Sequence, residues 1–247
     1  MRIDSDPGRP GGRILLQDDV WQSYVDLDDA EHLHFPYTQR IADVVDTVLS
    51  RPRPVRAVHL GGGALTLPRW LAATRPGSTS TVFELDAEVV AGALSLVHVP
   101  GATVRVGDAR AGLEGLADDA AHLVVGDAFD GRVVPAQLLT AGCVAEVVRV
   151  LRPGGLYVLN VIDDAPFGRL RGALATVRAA FGHVGVLAAP ELLNQAMSGN
   201  AVVVCSDASV DWPAITARAA QRPERPAVLG EVGTARWCAG AAVLTDG

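Results

Sequence analysis

Two aspartates three residues apart close an apolar run in the segment Leu123-Val-Val-Gly-Asp127-Ala-Phe-Asp130-Gly131. Carboxylates placed this way can hold a cation, or take a proton from one, and each raises the proton affinity of the other. The same pair also reads as a helix cap followed by an Asx-turn before Gly131. Further acids end other apolar runs: Glu84 and Asp86 after Thr81–Phe83, Asp108 after Val106-Gly107, and Asp163-Asp164 after Leu156–Val161. Gly61-Gly62-Gly63 follows Val55–Leu60, where glycine lets a backbone come close to a ligand or simply turn tightly. Asp108 either accepts a hydrogen bond from an amino group of a bound base or caps the helix that Ala-Arg-Ala begins.

The elements that must position these side chains follow from periodicity. Arg13–Leu27 alternates apolar and polar residues around Asp18-Asp19, which predicts a β-hairpin, while the polar, glycine- and proline-rich residues 1–12 read as mobile. Ile41, Val44, Val45 and Val48 recur at helical spacing up to Arg51-Pro52. Strands are expected at Val55–Leu60, Thr81–Leu85, Thr103–Val106, His122–Val125 and Leu156–Val161. They alternate with helices running to Trp70, over Ala87–Val97, about 136–151 and about 168–181, with Arg152-Pro-Gly-Gly as a turn. Two more strands near 184–188 and 200–205 complete the pattern. It is an α/β, Rossmann-like parallel sheet with helices on both faces, carrying a small N-terminal hairpin region. Residues 1–50 form the hairpin and linking helix, 51–206 the nucleoside-binding catalytic domain, and 207–247 a C-terminal helix, about 211–221, and tail. In such sheets ligands bind beyond the carboxyl ends of the strands, which is where the acids collect.

Gly61-x-Gly63 lacks the third glycine of a dinucleotide fingerprint, since Thr66 stands in its place. Glu84, 21 residues after Gly63, sits where an acid can accept both hydroxyls of a ribose. An acidic rim repels a pyrophosphate, which disfavours a nicotinamide dehydrogenase. It suits a cationic nucleoside, and the sulfonium of S-adenosylmethionine or of its decarboxylated form is one.

The 247 residues carry 21 arginines, no lysine and 28 acids, for a net charge of −7 and a pI near 5.3. No positive field is available for nucleic acid or an anionic membrane. With 49% hydrophobic residues the chain can bury a sizeable core, and no apolar run reaches membrane-spanning length. Cys143, Cys205 and Cys238 are too far apart for a metal clamp or a disulfide framework, which fits a reducing, cytoplasmic setting. No metal site is expected. His32 and His34 read as lid or partner contacts, His59 as a core residue, and Trp21 and Trp70 as packing. Trp21 could also cover the nucleoside, and Phe129 could line an acceptor pocket.

Taken together, Gln22 in "WQSYVDL", Tyr37 in "DAEHLHFPYTQR", and the segments "HLGGGALTL", "VFELD", "VGDAR" and "LVVGDAFDG" resemble the spermidine synthase family, the polyamine aminopropyltransferases. The resemblance covers about residues 13–206. It implies an N-terminal β-hairpin region before a class I methyltransferase-type domain, and nucleoside-binding roles for Gln22, Gly61, Gly63, Glu84 and Asp108. It also implies that Asp127 receives the proton of an attacking amine while Asp130 and Tyr37 orient that amine. The expected function is aminopropyl transfer from decarboxylated S-adenosylmethionine to a small-molecule amine, by a homodimer. The alternatives are a methyl- or alkyltransferase using S-adenosylmethionine, or a nucleoside-binding homologue without turnover.

Two positions depart from the family pattern. Ala64 replaces the aspartate that holds the donor's terminal ammonium, and Gln39 replaces a glutamate that holds the distal ammonium of a diamine. Asp86, Asp163 and Asp164 are the candidates to substitute.

Overall fold

The computed structural model describes residues 1–17 and 19–246. It opens with β1 (Arg2–Ser5), β2 (Gly12–Gln17) and β3 (Val20–Asp26), which pair in that order as an antiparallel sheet. The stretch read as mobile is therefore partly a strand: Arg2–Ser5 pairs residue for residue with Leu16 back to Arg13. Its few apolar side chains gave no alternation to read. Of the turn expected at Asp18-Asp19, Asp18 lies outside the described residues.

An eight-stranded sheet carries the rest. Its first five strands are β4 (Arg56–Leu60), β5 (Thr79–Glu84), β6 (Ala102–Val106), β7 (Ala121–Gly126) and β8 (Leu151–Asp163). β9 (His183–Ala188), β10 (Gly199–Ser206) and β11 (Ala227–Leu229) follow, and the spatial order is β11-β9-β10-β8-β7-β4-β5-β6. β4 to β8 run parallel, as the strand–helix alternation predicts. β9, β10 and β11 are antiparallel to their neighbours, because β10 returns to β8 from a short connection after β9. The order reverses between β4 and β7, and this switch point opens a crevice beyond the strand ends.

The helices are α1 (Pro36–Val48), α2 (Thr66–Thr74), α3 (Ala87–Leu96), α4 (Ala109–Glu114), α5 (Ala141–Val150), α6 (Gly168–Ala180), α7 (Pro190–Leu193), α8 (Trp212–Ala219) and α9 (Glu231–Trp237). Alternate strand residues feed two cores. Val58, Val124, Tyr157 and Leu159 pack with α5 and α6, while Ala57, Leu123, Val125 and Val158 pack with α1, α2 and α8. The helix expected over 136–151 is broken: a 3₁₀ turn covers Ala136–Leu138, and α5 starts only after Thr140, whose hydroxyl caps the Cys143 N–H. Arg152-Pro-Gly-Gly lies inside β8 at a register shift rather than turning the chain. β11 and α9 lie in the C-terminal stretch where the sequence pattern was weak.

Contacts to α2 and the turn before it hold the N-terminal sheet over the crevice. Ser23 Oγ accepts the Ala64 N–H at 2.9 Å, and Arg69 Nη2 on α2 donates to the Leu27 carbonyl at 2.8 Å. The fully buried Arg75 anchors the C-terminal turn of α1, reaching the Leu49 carbonyl at 3.2 Å and Asp46 at 2.8 Å. Cys143, Cys205 and Cys238 are buried free thiols. Among the described residues no helix is long and apolar enough to cross a membrane.

Candidate active site

At the switch point Gly61 ends β4 with φ +101°, a conformation that favours glycine. A Cβ there would collide with the Asp127 carbonyl, so the two loops touch backbone to backbone. That contact carries the Asp127 side chain to the floor of the crevice.

Asp127 is held on both carboxylate oxygens. Tyr37 Oη donates to Oδ2 at 3.1 Å, and Asn160 Nδ2 from β8 donates to Oδ1 at 2.8 Å. The carboxyl is half-buried, and desolvation pushes its pKa up to about 7. The Asn160 and Tyr37 hydrogen bonds pull the other way, and the charge of Glu84 adds to the rise. Burial and the neighbouring Asp127 charge hold the Tyr37 phenol far above its ordinary value, so it stays protonated and donates.

Asp127 lines one cleft, and its hydrogen-bond partners Tyr37 and Asn160 line a second. The first, of about 380 Å³, is lined by Gln22, Gly61, Gly63, Glu84, Asp108, Asp127 and Asp130, seven of the eight site residues expected from the sequence. With Asp86 it carries five carboxylates, and none of the described residues lining it is cationic. The second, of about 360 Å³, lies across Gln22 and Phe129. Tyr37 lines it together with Trp21, Arg40 and Asn160. Trp21 thus borders the second cleft and not the acid-lined one. Phe129 borders both.

Glu84 Oε2 accepts the Gly62 N–H at 2.9 Å and the Gly63 N–H at 3.3 Å, so the strand-end acid braces the glycine turn while facing the cleft. Asp108 is the cap that the sequence offered as one of its two roles, holding the start of α4 through the Ala111 N–H at 2.9 Å, and it also lines the cleft. Its second oxygen accepts from Gln137 Nε2 at 2.7 Å. Asp130 shares the acid-lined cleft with Asp127 but is exposed, and Tyr37 bonds Asp127 rather than Asp130. Asp163 stands outside both clefts. It accepts the Leu170 N–H at 2.8 Å and pairs with Arg169, fastening the start of α6. Ala64 is fully buried in an apolar cluster with Leu15, Val25 and Val82. His59 is buried against Ser80, and His34 stacks on Tyr24 with centroids 4.1 Å apart.

Sequence reasoning missed Asn160, Asn200, Arg40 and Gln137. Asn160 is a fully buried amide in the apolar run Leu156–Val161, and that anomaly was the available signal. Its partner, Asn200, donates to Asn160 Oδ1 at 3.1 Å.

A Rossmann-like sheet of the class I methyltransferase type, with an antiparallel N-terminal sheet over an acidic crevice at its switch point, defines the class of protein. Sequence and structure comparisons narrow it. No family model matches the chain. It is 29% identical over 189 residues to a polyamine aminopropyltransferase of Vibrio vulnificus (strain CMCP6), across 73% of this chain and 58% of that one. The match thus spans under two thirds of that relative's length. A probable spermidine synthase from Corynebacterium glutamicum superimposes with a TM-score of 0.91 at 29% identity, over 99% of this chain and 92% of that one. A spermidine synthase in complex with the transition state analogue AdoDATO gives 0.63 at 15% identity, over 85% and 70%, a likeness of fold. The chain is similar to spermidine synthases in both sequence and fold.

Proposed function

We propose that the protein transfers an aminopropyl group from decarboxylated S-adenosylmethionine to an amine. The observation that carries this reading is one half-buried carboxyl, Asp127, that lines the acid-lined cleft and is hydrogen-bonded to Tyr37 and Asn160, which line the second. Five carboxylates and no cation suit a nucleoside that carries positive charge. Glu84 would accept the ribose hydroxyls and Asp108 the adenine amino group, with Gln22 between the clefts and Gly61 and Gly63 close beneath the donor.

The acceptor nitrogen attacks the donor carbon bonded to sulfur. An N–C bond forms, the C–S bond breaks, and its electron pair returns to sulfur as a neutral thioether. The leaving group needs no proton, so catalysis rests on in-line positioning. The acceptor must arrive with a free lone pair, and Asp127 takes the proton that its ammonium loses. An ordinary carboxylate lies roughly six pH units below an alkylammonium. A carboxyl pushed to about 7 halves that gap. Asp130, exposed at the cleft mouth, and Tyr37 flank the path of the amine.

A second reading, methyl or alkyl transfer from S-adenosylmethionine itself, is favoured by Ala64. A fully buried alanine neither holds the terminal ammonium of the decarboxylated donor nor repels the carboxylate that S-adenosylmethionine carries. Incubation with each donor and mass analysis of the nucleoside product separate the readings: methylthioadenosine from the decarboxylated donor marks aminopropyl transfer, methylthioadenosine from S-adenosylmethionine transfer of its aminocarboxypropyl group, and S-adenosylhomocysteine methyl transfer. Absence of both products with every amine supplied leaves a nucleoside-binding homologue. A cytoplasmic homodimer, associating through the N-terminal sheet edges, completes the reading.

A further inference from the structure

The second cleft has the opposite electrostatic character from the first. Arg40 and Arg132 line it with Asn160, Asn200 and Ser198, and none of the described lining residues is acidic. Gln39, in the position where the resembled family has a diamine-binding glutamate, does not reach it. Its amide donates to the Leu33 carbonyl at 2.7 Å and receives Arg222 at 3.5 Å. Asp163 is committed to α6, and Asp86 belongs to the first cleft.

Arg40 is only 5% exposed. Its Nη1 donates to the Asn200 carbonyl at 3.2 Å, its Nη2 lies 3.6 Å from Glu224, and its Nε has no partner. A buried guanidinium with one distant carboxylate and an unused donor is under-compensated. Arg40 stands three residues after Tyr37 on α1, so the two side chains share a helix face, about 4.5 Å apart along its axis. Tyr37 and Asp127 mark the reacting end of the acceptor, and Arg40 lies one turn beyond.

We propose that the acceptor is an ω-amino carboxylate rather than a diamine, its amine directed to Asp127 and its carboxylate received by Arg40. This rests on the transferase reading above. A guanidinium binds a carboxylate in a fork of two hydrogen bonds and repels a second ammonium. Asn160 and Asn200, hydrogen-bonded in series from Asp127, form the neutral wall between the two ends.

The test compares 5-aminopentanoate, putrescine and n-pentylamine as acceptors, following methylthioadenosine release from decarboxylated S-adenosylmethionine. At least tenfold higher kcat/KM for 5-aminopentanoate than for putrescine is expected. The charge-balanced variant R40Q/E224Q should lower kcat/KM for 5-aminopentanoate at least tenfold, mainly through KM, and reverse the preference, while R40K retains it. A purely structural role for Arg40 would depress all three amines alike. That result, or a wild-type preference for putrescine, overturns the proposal. If no amine yields methylthioadenosine, the transferase reading fails by itself. Calorimetry of 5-aminopentanoate against putrescine, with methylthioadenosine present, then decides the cleft: tighter binding of the amino acid supports the assignment, and equal or weaker binding overturns it.

Discussion

The Tyr37 hydroxyl donates to the Asp127 carboxyl at 3.1 Å across ninety residues of chain, from the first turn of α1 to the loop after β7. Asn160 closes on the other oxygen at 2.8 Å. A single carboxyl thus joins the N-terminal segment, the switch point and β8, and the proposed chemistry hinges on its protonation state.

Replacing Asp127 with Asn removes the proton acceptor but keeps the shape. Turnover is expected to fall about 10²–10⁴-fold, the usual scale for a general base. Stability should move the other way. The folded pKa of about 7 lies above the ordinary 3.8, so the protonated carboxyl is the form the fold favours. Its stabilising contribution is full below about pH 4 and is lost as pH rises through 7. D127N should therefore melt higher than wild type at pH 8, by roughly 2–4 °C per kcal/mol recovered, and should gain nothing at pH 4. Calorimetric melts at both values check this.

The pH profile of the wild-type enzyme should rise through about 7 as Asp127 ionises. Tyr37→Phe and Asn160→Leu each delete a hydrogen bond that lowers this pKa, so the acidic limb should move to higher pH in both, further for Asn160, the larger contribution. kcat/KM against pH reads the shift directly. An unmoved limb would assign the profile to another group.

Gly61→Ala places a methyl against the Asp127 carbonyl at φ +101°. A loss of at least about 2 kcal/mol is expected from strain and clash together. Thermal unfolding measures it. Because the displaced atom belongs to Asp127, residual folded protein should also lose turnover.

Glu84→Gln keeps an acceptor for the Gly62 and Gly63 N–H groups but weakens the bonds a charged carboxylate makes to hydroxyls. Methylthioadenosine affinity by calorimetry should drop about tenfold, and the melting temperature should change little.

Apolar periodicity and turn chemistry made the parallel strands, α1 and the acid-bearing strand ends legible, because each depends on residues close in the chain. β1 was not legible, since a short polar edge strand is held by its neighbour's backbone rather than by its own pattern. The break before α5 turned on one Thr140 cap, and β11 on an available sheet edge at β9. Seven of the eight expected site residues meet in one cleft because they sit at the ends of adjacent strands or in the sheet laid over them.

By itself the sequence determined an α/β sheet with acids on its carboxyl rim, since alternation of apolar residues and the turns between them are local properties. Tertiary structure alone decided which acid lies in the cleft with a raised pKa. Asp127 follows β7 and Asp163 ends β8, yet one is held in the cleft by Tyr37 and Asn160 and the other is tied to the start of α6. It also decided that Arg40, an unremarked residue of α1, borders the second cleft. Desolvation and charge pairing depend on which distant segments close around a side chain, and no local pattern encodes that.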